Sequence, residues 1–164
     1  MGNTNFLDIR ISSNMDSYSL SCPRPEDPSK KNFFSDYIFS ISGLKFSKAN
    51  QVQFTTRDYL QVHSWDMRKP NKPIKSLRVT DYMDRHLVNL YENESIFDKF
   101  FVDMSPDGKS ILTGSYNNFA HIINQETMTN THLSVSFKTP KNEPCGRIKN
   151  YNPNTLKLEK PHEP

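Results

Sequence analysis

Twelve residues near the middle of the chain restrict the fold more than any other stretch. They are Thr55-Thr56-Arg57-Asp58-Tyr59-Leu60-Gln61-Val62-His63-Ser64-Trp65-Asp66. They read as a strand, a tight turn and a second strand that closes on a Trp-Asp pair. Such a unit has two faces and cannot bury them alone. The chain therefore has to stack several of these units against one another. An architecture of that kind points to binding rather than to chemistry.

The repeat is visible in the sequence itself. Asp66 has a later counterpart at Asn124, in Ile122-Ile123-Asn124. Another lies at the same interval before it, at Asp8 in Phe6-Leu7-Asp8-Ile9-Arg10. The hairpin ending in Trp65-Asp66 resembles one blade of a WD-repeat β-propeller, whose repeat runs about 40–45 residues. The interval here is longer, and between the second and third copies the helical pattern of residues 80–94 accounts for the excess. Chance similarity of short Asp-ended strands is the competing reading. Ser105-Pro106-Asp107-Gly108-Lys109 counts against it, because the repeat commonly carries such a turn at this place. The expected fold class is all-β, a partial WD-repeat β-propeller. It has about two complete blades plus part of a third, one inserted helix and a disordered C-terminal tail.

Composition sets the outer limits. The 164 residues suffice for one domain, but the hydrophobic fraction of 34% is low, with 11 Pro and only 5 Gly. Much of the chain is expected to be loop or solvated surface. No run is long or apolar enough for a membrane span. Residues 1–10 lack the basic start and apolar block of a signal peptide, so none is expected. Cys22 and Cys145 sit in Pro-rich surroundings far apart in sequence. They could pair, but a reduced intracellular chain, cytoplasmic or also nuclear, is the preferred reading. The net charge of +3 resides wholly in the residues from Lys138 onward. A mild basic tail can touch nucleic acid or acidic partners, but a solvated tail is the simpler expectation, and no nucleic-acid or membrane partner is assigned.

Three regions follow. Residues 1–36 read as the end of a blade plus a Pro-rich connector. Residues 37–137 read as two blades with a helical insert at 80–94. Residues 138–164 read as a basic, Pro-containing tail. In the first blade, strands are expected at 37–47, 52–56, 60–65 and 74–79. In the second they are expected at 97–104, 109–115, 119–124 and 132–137. Trp65 should be buried beside Leu44, Phe46 or the neighbouring blade. Thr80 is a candidate N-cap for the insert, with Asp81 in its first turn. Met83, Leu87, Leu90 and Tyr91 recur on one helical face. That face either packs on the rim of the blades or docks a partner, and packing is the preferred reading.

No catalytic motif is found. There is no phosphate-cradling Gly-rich loop and no nucleophile elbow. His63 and His121 occupy equivalent places on equivalent strands, but as a metal pair they would need a third ligand. Satisfied structural histidines are the default, Cys22 has no evident activating base, and neither cofactor nor metal is expected. Asp58 is expected to brace the turn between two strands. Asp58, Trp65 and Asp66 are thus structural repeat residues.

Several short motifs narrow the resemblance. They are Glu26-Asp27-Pro28-Ser29, Asn32-Phe33-Phe34-Ser35, Ser40-Ile41-Ser42 with Lys45-Phe46-Ser47, and Thr56-Arg57-Asp58-Tyr59-Leu60. The most specific are Leu90-Tyr91-Glu92-Asn93, Ile96-Phe97-Asp98-Lys99-Phe100 and Thr113-Gly114-Ser115-Tyr116-Asn117-Asn118-Phe119. In this order and spacing, from about Phe6 to Asn124, they resemble the 55-kDa regulatory B subunits of protein phosphatase 2A.

The resemblance implies a seven-bladed propeller without an active site. Such a propeller joins phosphatase scaffold and catalytic subunits and presents phosphoprotein substrates to the latter. It further implies that Tyr116, with Asn117 and Asn118, faces a substrate groove, although an aromatic turn residue packed on its own blade is the alternative. Family members are well over twice this length, and the scaffold-gripping hairpin and acidic patches of the early blades have no counterpart here. Gly43 and Ser64 depart from the family pattern. A truncated member with open sheet edges, prone to self-association, is the expectation. A phosphatase-independent WD-repeat interaction fragment or decoy is the alternative.

Overall fold

The computed structural model describes residues 3–6, 20–23, 32–116, 119–127, 129–134 and 147–148 of the chain. A two-stranded antiparallel pair comes first, β1 (Thr4–Phe6) with β2 (Leu20–Cys22). After the short helix α1 (Ser35–Ile38) comes a four-stranded antiparallel meander. Its strands are β3 (Gly43–Phe46), β4 (Gln53–Arg57), β5 (Gln61–Asp66) and β6 (Lys75–Arg78). The insert with helix α2 (Leu87–Glu92) leads to a second meander: β7 (Val102–Met104), β8 (Ser110–Gly114), β9 (Phe119–Asn124) and β10 (Asn130–Ser134). A short fifth strand, β11 (Arg147–Ile148), pairs with β10. Each meander has the form of one propeller blade.

The sequence repeat is a structural repeat. Strands β5 and β9 are equally long, and their ends are separated by the interval that divides Asp66 from Asn124. Their registers match: Phe54 faces Trp65 and Thr56 faces His63 in the first blade, while Ile111 faces Ile123 and Thr113 faces His121 in the second. Because side chains alternate across a strand, the pairs in each blade share one face. In the first blade that face carries Phe54 and Trp65 against Cys22, with Phe6, Leu20 and Met67 around them. In the second it carries Val102, Met104, Ile111 and Ile123 against Val62, Val79 and Leu77 of the first blade. Both inner faces are thus covered by the element before them, as stacking requires.

Small residues and polar bridges join the blades. A Cβ on Gly43 would sit 3.1 Å from the Val102 backbone nitrogen, so the absence of a side chain lets β3 approach β7. Ser42 Oγ donates to the Phe100 carbonyl at 2.7 Å, and Lys45 pairs with Asp103 at 2.8 Å. At the opposite end, Lys75 Nζ donates to the Gln125 carbonyl at 2.7 Å. Gly108 takes the left-handed conformation that closes the β7–β8 turn, with φ of 73°.

The structure corrects several expectations. Tyr37 and Ile38 belong to α1, not to a strand, because Asn32 Oδ1 accepts the Phe34 N–H and folds the segment into a turn. The insert is not one helix over 80–94. It runs as a 3₁₀ turn (Asp81–His86), then α2, then a second 3₁₀ turn (Ser95–Phe97). Thr80 makes no side-chain cap. It is fully buried, and its hydroxyl donates instead to the Tyr59 carbonyl at 3.0 Å. Met83, Leu87 and Leu90 are buried as their spacing predicts, but Tyr91 is 36% exposed. Cys22 closes a strand rather than lying in a loop, and burial raises its thiol pKa. Strand β10 begins two residues earlier than expected, and β11 falls in the stretch assigned to the tail. Asp8, Asn117, Asn118, Cys145, residues 135–137 and the remainder of 138–164 lie outside the described residues.

Candidate functional site

Antiparallel strands deliver their loops alternately to two ends of a blade. One end gathers the β4–β5 turn, the insert and the β8–β9 turn. The β4–β5 turn is built around Asp58. Its Oδ1 accepts the N–H groups of Leu60 at 2.8 Å and Gln61 at 2.6 Å, and its Oδ2 meets His63 Nε2 at 3.1 Å. The other ring nitrogen of His63 meets Ser76 Oγ at 2.8 Å. Trp65 Nε1 donates to Thr56 Oγ1 at 2.9 Å, and its ring stacks on Phe54 at 6.0 Å. Asp58 therefore ties the turn to its own backbone. Trp65 is 2% exposed, packed by Phe54 and the β1–β2 pair rather than by Leu44. Asp66 caps the other end of β5. Its carboxylate accepts Arg68 Nη2 at 2.6 Å, and that guanidinium holds its pKa down to about 2.

The β8–β9 turn places Tyr116 above the join between the blades. Its hydroxyl lies 2.5 Å from Asp98 Oδ2 and 2.6 Å from the Ser95 carbonyl. Tyr59 of the first blade's turn donates to the same carbonyl at 3.0 Å. A phenol has one proton, and the carboxylate is the stronger acceptor. Tyr116 thus donates to Asp98, while Tyr59 serves Ser95. Burial, then the hydrogen bond to Asp98, raises the Tyr116 pKa, and burial pushes that of Tyr59 up to about 12. Both are neutral phenols at physiological pH. The Tyr116 ring also meets Phe100 edge-on at 5.1 Å. Its hydroxyl is therefore engaged within the chain.

Beneath this cluster lies Arg57, fully buried. Its guanidinium nitrogens have no hydrogen-bond partner among the described residues, and its carbon lies 5.4 Å from the centre of the Phe100 ring. A cation against an aromatic face is attracted by the ring quadrupole. Burial lowers its pKa to about 10, which leaves it charged at neutral pH. His63 and His121 do not share a ligand set. His121 Nδ1 meets Asn130 Oδ1 at 3.2 Å, and its ring lies 4.5 Å from that of His132. Among the described residues no group of three metal-ligating side chains occurs, and no helix is long and apolar enough to cross a membrane.

Sequence reasoning missed Asp98, Ser76 and Arg57 as partners in this end of the molecule. Asp98 and Tyr116 come from different segments, and no periodicity links them. Asp58 was legible because a turn carboxylate satisfies nearby N–H groups, a local rule.

The arrangement gathers aromatic rings, hydroxyls and carboxylates at one end of two blades. Over 136 residues the chain is 39% identical to the serine/threonine-protein phosphatase 2A regulatory subunit phr2AB of Dictyostelium discoideum, covering 83% of this chain and 28% of that protein. Over 140 residues it is 39% identical to the B beta isoform of the 55 kDa regulatory subunit of serine/threonine-protein phosphatase 2A from Carassius auratus, covering 85% of this chain and 31% of that protein. The chain spans about three-tenths of the length of these relatives. No family model matches it.

Proposed function

We propose that this chain, a homologue of the 55 kDa regulatory B subunits of protein phosphatase 2A, acts as a non-catalytic regulatory element of that phosphatase. The observation that carries the reading is the 39% identity across more than four-fifths of the chain. The partners are the scaffold and catalytic subunits, the location is cytoplasmic or also nuclear, and the substrates are phosphoproteins. Substrate peptides run past the β8–β9 turn, where the Tyr116 ring edge and the amides of Asn117 and Asn118 contact them. Support for that placement is the position of Tyr116 above the blade join, held by Asp98.

Two experiments test this. Tagged full-length chain should co-purify with scaffold and catalytic subunits. A folded chain that captures neither would reject the phosphatase reading in favour of an independent interaction fragment. Phosphopeptide affinity of the resulting complex should fall with Tyr116→Ala more than with Tyr116→Phe, because the ring and not the engaged hydroxyl meets the peptide. Equal affinity for both variants and the parent would remove Tyr116 from the site.

A further inference from the structure

The join between the blades encloses two polar side chains that the phosphatase reading does not use. Arg57 ends β4, and alternation along that strand puts it on the same face as Thr55. That face looks toward the second blade, because Gln125 Nε2 reaches Thr55 Oγ1 at 3.4 Å. Val62, directly across the ladder from Arg57, belongs to the buried cluster that holds Ile111 and Ile123. His121 stands on the face of the second blade that carries those two isoleucines, turned toward the first blade. Arg57 is 0% exposed and His121 2%. Arg57 Nε, Nη1 and Nη2 and His121 Nε2 all lack a hydrogen-bond partner among the described residues. The Arg57 charge also helps to lower the His121 pKa, so the two groups lie within electrostatic reach of each other.

The polar groups near Arg57 are committed elsewhere. Asp58 gives its oxygens to Leu60, Gln61 and His63. Thr113 Oγ1 donates to the Phe101 carbonyl at 2.7 Å, and the Tyr82 hydroxyl meets Ser115 Oγ at 2.9 Å. The Phe100 ring attracts the guanidinium as a whole but gives its N–H groups no acceptor oxygen. A buried cation without acceptors is strongly unfavourable unless something compensates it. A water molecule would accept from the N–H groups and leave the charge unopposed. A small anion does both. The enclosure limits its size, and a spherical halide accepts from several N–H groups at once. His121 adds a donor from the second blade. When the Asn130 amide presents its NH2 group to Nδ1, the ring proton sits on Nε2.

We propose that Arg57 and His121 form a chloride site buried in the join between the two blades. The ion is the counter-ion of the guanidinium and ties one blade to the other. The site lies beneath the Tyr116 turn, and it holds whether or not the chain joins the phosphatase.

The test follows thermal unfolding of the full chain at pH 7.5 in sodium chloride and in sodium gluconate at matched ionic strength. An ion that binds only the folded chain stabilises it by mass action. Chloride should raise the midpoint by about 2–5 °C over gluconate. The general salt effect works the other way, because an excluded, bulky anion favours the compact state. Arg57→Met keeps the length of the side chain and removes its charge. This variant should lose the chloride response, and in gluconate its midpoint should equal or exceed that of the parent. His121→Gln should keep Arg57 in place and raise the chloride concentration of half-effect several-fold, and it decides the role of the join if Arg57→Met does not fold. Equal midpoints of the parent in the two salts would overturn the proposal and leave a buried water as the partner of Arg57. A full chloride response in Arg57→Met, or an unchanged half-effect in His121→Gln, would overturn it as well, since the ion would then bind elsewhere.

Discussion

The two blades share a backbone and differ in how their centres are held. At matching register positions the first carries Phe54, Thr56, His63, Trp65 and Ser76, and the second carries Ile111, Thr113, His121, Ile123 and His132. The first fills its centre with a polar chain running from Ser76 through His63 to Asp58, beside the Trp65–Thr56 bond. The second fills it with two isoleucines and leaves His121 Nε2 buried without a partner among the described residues. The turn changes as well. Asp58 ties the first to its own backbone, whereas Tyr116 ties the second to the insert through Asp98. The comparison teaches that alternation and stacking specify a blade, while the polar network is a local addition. The first blade adds an internal polar chain to the packing that both blades receive from the element before them.

The sharpest way to break that contrast is to empty each centre. Trp65→Ala should cost about 3–5 kcal/mol and Ile123→Ala about 2–4 kcal/mol, read from chemical denaturation midpoints. If Trp65 proves no costlier than Ile123, the first blade does not depend on its aromatic centre.

Asp58→Ala should cost about 2–3 kcal/mol, because the buried Leu60 N–H, the Gln61 N–H and the His63 ring all lose an acceptor. Tyr116→Phe, its counterpart in the second blade, should cost about 1 kcal/mol, one hydrogen bond. Equal losses in the same denaturation assay would mean the two turns are held alike.

A pH titration separates the blades further. Burial, with a contribution from His132, lowers the His121 pKa from 6.5 to about 4. The unfolded chain therefore takes up this proton first as pH falls. Stability linked to His121 is complete above pH 6.5 and is lost progressively down to about 4. The loss should reach about 2 kcal/mol near pH 5. Measured against a His121→Gln variant, the parent should show the steeper decline. Parallel profiles would place the acid sensitivity elsewhere.

The smallest effect belongs to the insert that links the blades. Glu94 adopts φ of 60°, a conformation that disfavours residues with a Cβ. Glu94→Gly should raise the thermal midpoint slightly, by about 0.5–1 kcal/mol of stability. A lower midpoint would mean that the Glu94 side chain itself supports the link.

Local chemistry decided what the sequence alone could specify. Strand alternation, the Trp65-Asp66 ending, the equal spacing of Asp8, Asp66 and Asn124 and the turn-bracing Asp58 were all legible before any coordinates. Each rests on neighbours close in the chain or on a pattern that recurs along it. The residues that resemble regulatory B subunits were likewise read directly, and the comparison with phr2AB and the B beta isoform agrees with them. Tertiary structure decided the rest. Thr80 looked like a cap, but the β4–β5 turn presents a buried carbonyl that claims its hydroxyl. Tyr116 looked open to a groove, but Asp98 arrives from a segment folded back over the join and takes its hydroxyl. The rings of Phe33 and Tyr37 meet those of Tyr91 and Phe97 only because α1 and the insert come together, although the two segments lie on opposite sides of the whole first blade in the chain. A hydrogen bond or ring contact between distant segments leaves no period in a sequence. It forms only after burial has brought both partners to the same place.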